Sequence, residues 1–412
     1  MTLPRSTQIL IVGGGPSGSS TACFLAAQGL DVTIVDRATF PRPKPCAEYL
    51  SPEASRVLDA MGVLDRVEAA GAAQLTGMVV RAPNGCEIEG AFVAKHGFRG
   101  FRDRGLALRR ELLDALLLDR ARELGVRVIE GARLESLSAQ LRGYDLGIRA
   151  EGALHDMSAG LVIGADGLRS VVARKLGLAK RRWWPKRLAL VAHWRGVEGI
   201  GERGEMHVQY GGYLGLADVG GGITNVALVV PASCGRAAAG DTDAYVRRWI
   251  AKYPHIASRF ANAERISPVL ATGPFATHAK RAFAHDAALV GDAADFFDPF
   301  TGEGIYSALR GGELLAPFAA DAVRASTAKR ALSALRDYDR ERTRAFTGKW
   351  HVERLIGLAV AFPFLMNHAA RVLSQRSELA DLLIGVTGDF VPAREILRPG
   401  TLWRMLVPPV RS

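Results

Sequence analysis

An apolar run at residues 8–12 leads straight into Gly13, Gly14, Gly15, Pro16, Ser17 and Gly18, with a helix-like stretch following at 19–28. A second apolar run, 31–35, closes on Asp36, eighteen residues after Gly18. Strand, glycine-rich turn, helix, strand and acid in that order specify a parallel βαβ unit built around a dinucleotide. Each residue has a physical task. Gly13 permits the tight turn, Gly15 lets the backbone come close to a pyrophosphate, and Gly18 lets helix and strand pack closely. The helix start, with Ser17 in its first turn, offers free N–H groups and the positive dipole end to phosphates. Asp36 stands where a ribose hydroxyl can donate to it, and Arg37 flanks it as a further cofactor contact.

By length the chain has room for about two to three domains. Its 48% hydrophobic content and 23% charge are those of a folded protein and exclude a disordered one. The net charge of +11 favours anionic ligands or an anionic surface. The basic residues are scattered, with no basic helix or aromatic-plus-basic module, so nucleic acid is not expected as a partner. Cys23, Cys46, Cys86 and Cys234 lie far apart, with neither CxxC nor Cys/His ligand spacing. No metal site is therefore expected, and the pattern suits a reducing compartment. The first strand begins within eight residues of Met1, so no signal peptide is expected, and a cytoplasmic location is the default. The longest apolar stretch, 355–366, has twelve residues and holds Pro363, too short to span a bilayer. It reads as buried helix packing, with an apolar lid or peripheral membrane contact as alternatives.

Residues 37–52 form a loop with four prolines, Cys46 and Glu48. Helical spacing follows at 52–67 and 109–124, strand patterns at 78–80, 87–93 and 126–129, and a hairpin-like alternation at 134–151. A short buried strand at 161–164 runs into Ala165, Asp166 and Gly167. Between 180 and 273, four strand-like runs (188–197, 205–209, 213–217 and 223–230) alternate with Gly-rich turns, as in a sheet roofing a pocket. A buried strand at 287–290 ends in Gly291 and Asp292, and helix dominates from 305 onward. The expected fold class is α/β. It comprises a discontinuous Rossmann-type nucleotide domain (1–75, 100–178 and 275–326), an inserted mixed β-sheet substrate domain (76–99 and 179–274) and a C-terminal helical region (327–412).

Two further segments carry chemistry. A strand ending in Gly291 and Asp292 places a carboxylate to accept a hydrogen bond from a sugar hydroxyl. Pro299, Gly302, Gly304 and Ile305 follow, and glycines just before a helix let backbone N–H groups approach a ring or phosphate. Asp166 and Gly167 stand at another strand end, the edge where ligands bind in a doubly wound sheet. These segments, with the first, resemble the FAD-dependent oxidoreductases of the para-hydroxybenzoate hydroxylase-like fold, a group that includes the geranylgeranyl reductases. The resemblance covers residues 8–320. It implies that Asp36 holds the adenosine ribose, Arg110 (or Arg109 beside it) approaches the FAD pyrophosphate, and Asp292 takes the ribityl chain. Residues 302–305 would face the isoalloxazine, with Pro299 shaping the ring's edge. Asp166 lies in a motif implicated in both FAD and NAD(P)H contact. No second fingerprint follows a strand, which agrees with NAD(P)H as a transient reductant docking near the flavin.

The loop at 40–48 resembles the KPCGE loop of geranylgeranyl reductase-like members, with Ala47 where glycine is usual. In such members the cysteine lies close to the flavin. Cys46 is then either an acid near the reacting bond or a packing residue, and the flavin itself carries the chemistry. On the inserted sheet, His193, His207, Tyr213 and Asn225 are candidates for the substrate pocket, although strand alternation turns half of such residues outward. His96, Arg99 and Arg102 flank a Gly/Phe-rich loop, as solvated charges or as substrate contacts. The expected function is that of an FAD-dependent oxidoreductase. The first reading is an NAD(P)H-linked monooxygenase hydroxylating an aromatic or lipophilic small molecule in a dry pocket. A prenyl double-bond reductase is the alternative, and a non-catalytic FAD-binding protein the third.

Overall fold

The protein is described by a computed structural model covering residues 3–93, 97–181, 186–275 and 277–408. Parallel strands buried on both faces need continuous apolar runs rather than alternation. The first sheet meets that demand at its centre, where Ile9, Leu10 and Ile11 are fully buried. Strand Ser6–Val12 is flanked in parallel by Val32–Val35 and by Ala153–Gly164, with Ile11 opposite both Ile34 and Ile163. Arg127–Ile129 extends the sheet on one side and Ala287–Leu289 on the other. The strand expected at 161–164 is longer, because its first half pairs antiparallel with Tyr144–Ala150, which in turn pairs with Arg133–Ala139.

Helix Pro16–Ala26 starts on Gly15 with proline in its first turn and packs against the long helix Gly304–Arg324. Gly312 makes the contact close, since a Cβ there would sit 2.6 Å from the Thr21 nitrogen. Ser20 Oγ donates to the Leu309 carbonyl at 2.7 Å across the same seam. The helical spacing at 52–67 resolves into two helices, Pro52–Ala60 and Leu64–Ala69. Gly62 separates them in the left-handed region (φ +70).

The second sheet runs through Arg187–Arg195, Ile223–Pro231, Gly212–Asp218 and Arg203–Gln209, all antiparallel. Gly77–Arg81 then joins in parallel and Glu87–Ala91 closes the edge, so the sheet is mixed. Period-two alternation gives it two apolar faces. Ala189, Val191, Met206, Ala227 and Val229 form one. Leu190, Trp194, Leu214 and Leu228 form the other, covered by helix Thr242–Ile250. The C-terminal part is helical. Ala328–Ala361 meets Pro363–Leu373 at a 112° bend, and Ser377–Thr387, Arg394–Leu397 and Pro399–Leu406 follow. Among the described residues, no single helix is long and apolar enough to cross a membrane.

Candidate active site

The three glycine segments meet at the C-terminal ends of Ser6–Val12, Ala153–Gly164 and Ala287–Leu289. A Cβ on Gly13 (φ +109) would lie 2.4 Å from the Ala165 carbonyl oxygen, and one on Gly291 would lie 2.9 Å from the Ser17 side chain. Between them and the second sheet opens a cavity. Gly15, Ser17, Arg110, Asp292, Pro299, Gly302, Gly304 and Ile305 line one side of it.

The residues present suit a dinucleotide. A Cβ on Gly18 would fall 1.8 Å from the Gly13 carbonyl oxygen, so this glycine is required by packing. A Cβ on Gly15 would meet only the guanidinium tips of Arg42 and Arg110, at 3.7 and 4.0 Å. That face is open to a ligand. Helical hydrogen bonding starts at the Ser19 N–H, which donates to the Gly15 carbonyl at 2.9 Å, and the N–H groups before it remain for an anion. Asp36 is buried at the end of its strand. Its oxygens accept from the Gly14 N–H at 2.7 Å and the Ala38 N–H at 2.8 Å. Those bonds hold the carboxylate still while its remaining lone pairs stay open to a ribose. Arg37, next to it, is exposed.

Arg110 is buried and makes a two-pronged contact with Asp114, at 2.7 and 2.8 Å. Arg42 shares that carboxylate at 3.3 Å. Two guanidiniums on one carboxylate leave net positive charge beside Gly15, as a pyrophosphate requires. Lys44 also lines the cavity. Burial first, then Arg110, lower its ammonium below the ordinary lysine range, while burial raises the Asp292 carboxyl against the pull of Lys44 and Arg110. Asp166 commits one oxygen to the chain itself, while its buried Oδ1 has no hydrogen-bond partner among the described residues. Its Oδ2 accepts from the Val171 and Val172 N–H groups and caps helix Val171–Lys175, so Ala165, Gly167 and Leu168 form the lining in its place. Gly302 is left-handed (φ +73), and a Cβ there would press on the Tyr49 ring at 2.8 Å.

The opposite wall is the Ala189, Val191, Met206, Ala227 and Val229 face of the second sheet. Tyr213 lies in that wall with its hydroxyl donating to Asp298 Oδ1 at 2.7 Å. His193 and Asn225 are paired across adjacent strands and reach the cavity through Glu48. Cys46 lines the cavity with Arg110, its Sγ accepting from the Glu48 N–H at 3.3 Å. His207 corrects the expectation made for it. Its neighbour Met206 takes the cavity face, so alternation turns His207 to the opposite side. There it bonds Glu205 at 2.8 Å and His255 at 3.1 Å. Arg102 pairs with Glu68 at 2.7 Å, Arg99 is exposed, and His96 lies outside the described residues. Pattern reading passed over Glu48, Lys44, Arg42 and Asp114. Of these, Glu48, Lys44 and Arg42 carry a signal, through their place around Cys46 in the proline-stiffened loop.

A family model described as an FAD binding domain matches residues 6–188. Digeranylgeranylglycerophospholipid reductase of Methanothrix thermoacetophila is 31% identical over 329 residues, 76% of this chain and 78% of that protein. Menaquinone reductase of Mycobacterium tuberculosis is 28% identical over 346 residues, 77% of each chain. Among solved structures, a flavoprotein/dehydrogenase from Cytophaga hutchinsonii shares the fold at a TM-score of 0.81 and 22% identity, covering 97% of this chain and 96% of that one. The flavin-dependent brominase Bmp2 does so at 0.79 and 21%, covering 97% and 98%. The cofactor is FAD, and the chain belongs to the geranylgeranyl reductase family of FAD-dependent oxidoreductases.

Proposed function

We propose that the protein saturates a carbon–carbon double bond in a prenyl chain, with NAD(P)H as the transient source of electrons. The observation that carries this reading is the wall facing the cofactor cradle. It is aliphatic at Ala189, Val191, Met206, Ala227 and Val229, and its one phenol, Tyr213, is committed to Asp298. Such a surface suits a flexible hydrocarbon, whereas a phenolic substrate needs placed polar groups to orient it. Relatives named as digeranylgeranylglycerophospholipid and menaquinone reductases support a lipophilic substrate. Bound FAD, once reduced, supplies hydride. The chain does the rest: Gly15, Ser17, Gly18, Arg42 and Arg110 hold the pyrophosphate, Asp36 the adenosine ribose, and Asp292 the ribityl chain. Pro299, Gly302, Gly304 and Ile305 seat the ring, and Cys46 faces the reacting bond.

Hydroxylation is the second reading, favoured by the same apolar wall, which would help keep water from a reactive oxygen adduct. Oxygen separates the two. The purified holoenzyme is given NAD(P)H and a geranylgeranyl lipid without air, and the product is weighed by mass spectrometry. A gain of two hydrogens supports reduction. An unchanged lipid that gains one oxygen atom only when air is admitted supports hydroxylation and overturns reduction.

The substrate's solubility calls for a membrane surface, and the C-terminal helices offer one. At the bend between Ala328–Ala361 and Pro363–Leu373, Leu355, Leu358, Phe364 and Leu365 are exposed, and Trp403 and Leu406 are exposed on the last helix. His368 Nε2 ties the two helices together at the Leu406 carbonyl, 2.6 Å away. Residues 361–377 contain no Asp or Glu, and Arg371, Arg394, Arg398 and Arg404 are exposed on the same group of helices. Apolar side chains ringed by arginine fit the headgroup boundary of an anionic bilayer, with the helices lying on it rather than crossing it.

A further inference from the structure

We propose that Glu48 and His193 form a proton relay joining solvent to the reaction chamber. The proposal rests on double-bond reduction as the reaction. Glu48 lines the cavity, is 2% exposed and holds a left-handed backbone (φ +63) that a residue with a side chain adopts only at a cost. Its Oε1 accepts from the Arg110 N–H at 2.8 Å, which settles the start of helix Arg110–Glu123. That contact alone accounts for a structural carboxylate. Oε2 does something else: it lies 2.7 Å from His193 Nε2 and accepts from Asn225 Nδ2 at 2.9 Å. The same Asn225 Nδ2 donates to the Cys46 carbonyl at 2.8 Å, so one amide fixes both the carboxylate and the cysteine loop. The His193 side chain is 19% exposed, so water reaches it, and its backbone N–H is held by Ser267 Oγ at 2.9 Å. The other charged groups lining the chamber are Lys44, Arg110 and Asp292. The order is therefore solvent, imidazole, carboxyl, chamber. A proton between Nε2 and Oε2 can rest on either atom without moving the heavy atoms, as a relay requires.

Saturating one double bond takes two electrons and two hydrogens. Reduced FAD, held in the cradle, would supply hydride to one carbon. The neighbouring carbon takes a proton from the Glu48 carboxyl as the π bond breaks and two C–H bonds form. The Glu48 carboxylate left behind takes the proton of the His193 ring, and water reprotonates the ring. NAD(P)H returns the two electrons. Glu48 is the catalytic residue in this scheme, and His193 is a positioning residue that acts through it.

The test uses the FAD-loaded enzyme with His193→Ala and Glu48→Gln. In both, kcat is expected to fall roughly tenfold or more with KM nearly unchanged, and added imidazole is expected to restore His193→Ala roughly fivefold but not Glu48→Gln. Loss of packing alone gives no such rescue. A second reading comes from the cofactor-free protein, by NMR of ring-labelled histidine. The His193 Nε2 resonance, set by its hydrogen bond to Glu48, is expected to move in Glu48→Gln and to stay as it is in Cys46→Ser. A His193→Ala enzyme within about twofold of wild type, or one that imidazole leaves inert, overturns the relay. If wild type saturates no prenyl double bond, the reaction reading fails by itself. The NMR spectrum then decides the pair, and a His193 Nε2 resonance indifferent to Glu48→Gln overturns it.

Discussion

Arg187 and Asp298 form a buried ion pair, Nη1 to Oδ2 at 2.7 Å, that joins the first long strand of the second sheet to the loop proposed to seat the flavin ring. Asp298 Oδ1 meanwhile accepts from the Tyr213 hydroxyl at 2.7 Å and the Phe300 N–H at 3.1 Å. One carboxylate thus locks the cavity face of the second sheet to the loop that carries Pro299 and Gly302. Arg187→Met leaves that carboxylate buried without its cation, and the expected cost is about 3–5 kcal/mol of stability. Urea unfolding of the cofactor-free protein measures it. A loss below about 1 kcal/mol, the level of an exposed pair, refutes a locking role.

Gly15 and Gly18 should respond oppositely to alanine. At Gly18 the added carbon runs into the Gly13 backbone, so the turn itself must shift, at a cost of roughly 1–3 kcal/mol or more. At Gly15 it meets no backbone within 4 Å, and the fold should be untouched. It does occupy the surface proposed for the pyrophosphate. Gly15→Ala is expected to melt like wild type when cofactor-free, yet to bind FAD roughly tenfold more weakly, about 1.4 kcal/mol. Flavin absorbance after gel filtration and a melting curve read the two effects separately.

What the amino-acid pattern reveals is chiefly local. Gly18 answers a steric demand set five residues away, and Gly13 and Gly302 hold the positive φ that their turns require; such demands leave a residue signature. The contacts of Ala165 with Gly13 and of Tyr49 with Gly302 come from far along the chain and leave none. Asp36 follows from the length of one βαβ unit. Glu48 and His193 are 145 positions apart, and their meeting depends on how the second sheet settles over the first, which no short window records. His207 shows the limit of alternation. Period two separates the faces of a strand, but which face, that of Met206 or that of His207, meets the cavity depends on where the sheet lies. Asp166 shows another. Its place at a strand end is legible, whereas the backbone groups that draw its carboxylate into capping a five-residue helix are not.

Glu205 makes the far face of the second sheet sensitive to acid. Burial works to raise its carboxyl, but hydrogen bonds from Arg259 and His207, with their charges, hold it down to about 2. A carboxyl lower in the folded than in the unfolded chain contributes stability above the unfolded value and loses it as pH falls toward the folded one. The window runs from about 4.5 down to 2. The melting temperature of the wild type is expected to fall steeply on acidification there, and Glu205→Gln should lower it at neutral pH and flatten the slope. Parallel slopes for the two proteins dismiss Glu205 as the source.

Membrane docking makes a prediction that needs no turnover. Phe364 and Trp403 are each 67% exposed, on different helices of the same surface. If that surface enters the headgroup boundary, each large side chain contributes about 2 kcal/mol, so Phe364→Glu or Trp403→Glu should weaken vesicle binding by roughly tenfold or more. Sedimentation with phosphatidylglycerol vesicles measures it. Wild type should bind these and release them in high salt, and should bind phosphatidylcholine vesicles weakly, because the arginines supply part of the attraction. Trp403 itself should change emission on binding the anionic vesicles, a signal lost in its own variant. Equal sedimentation of wild type and both variants, or no binding to either lipid, removes the membrane from this protein's working surface and leaves the exposed apolar helices to a second copy of the chain, which the oligomeric state in solution would then reveal.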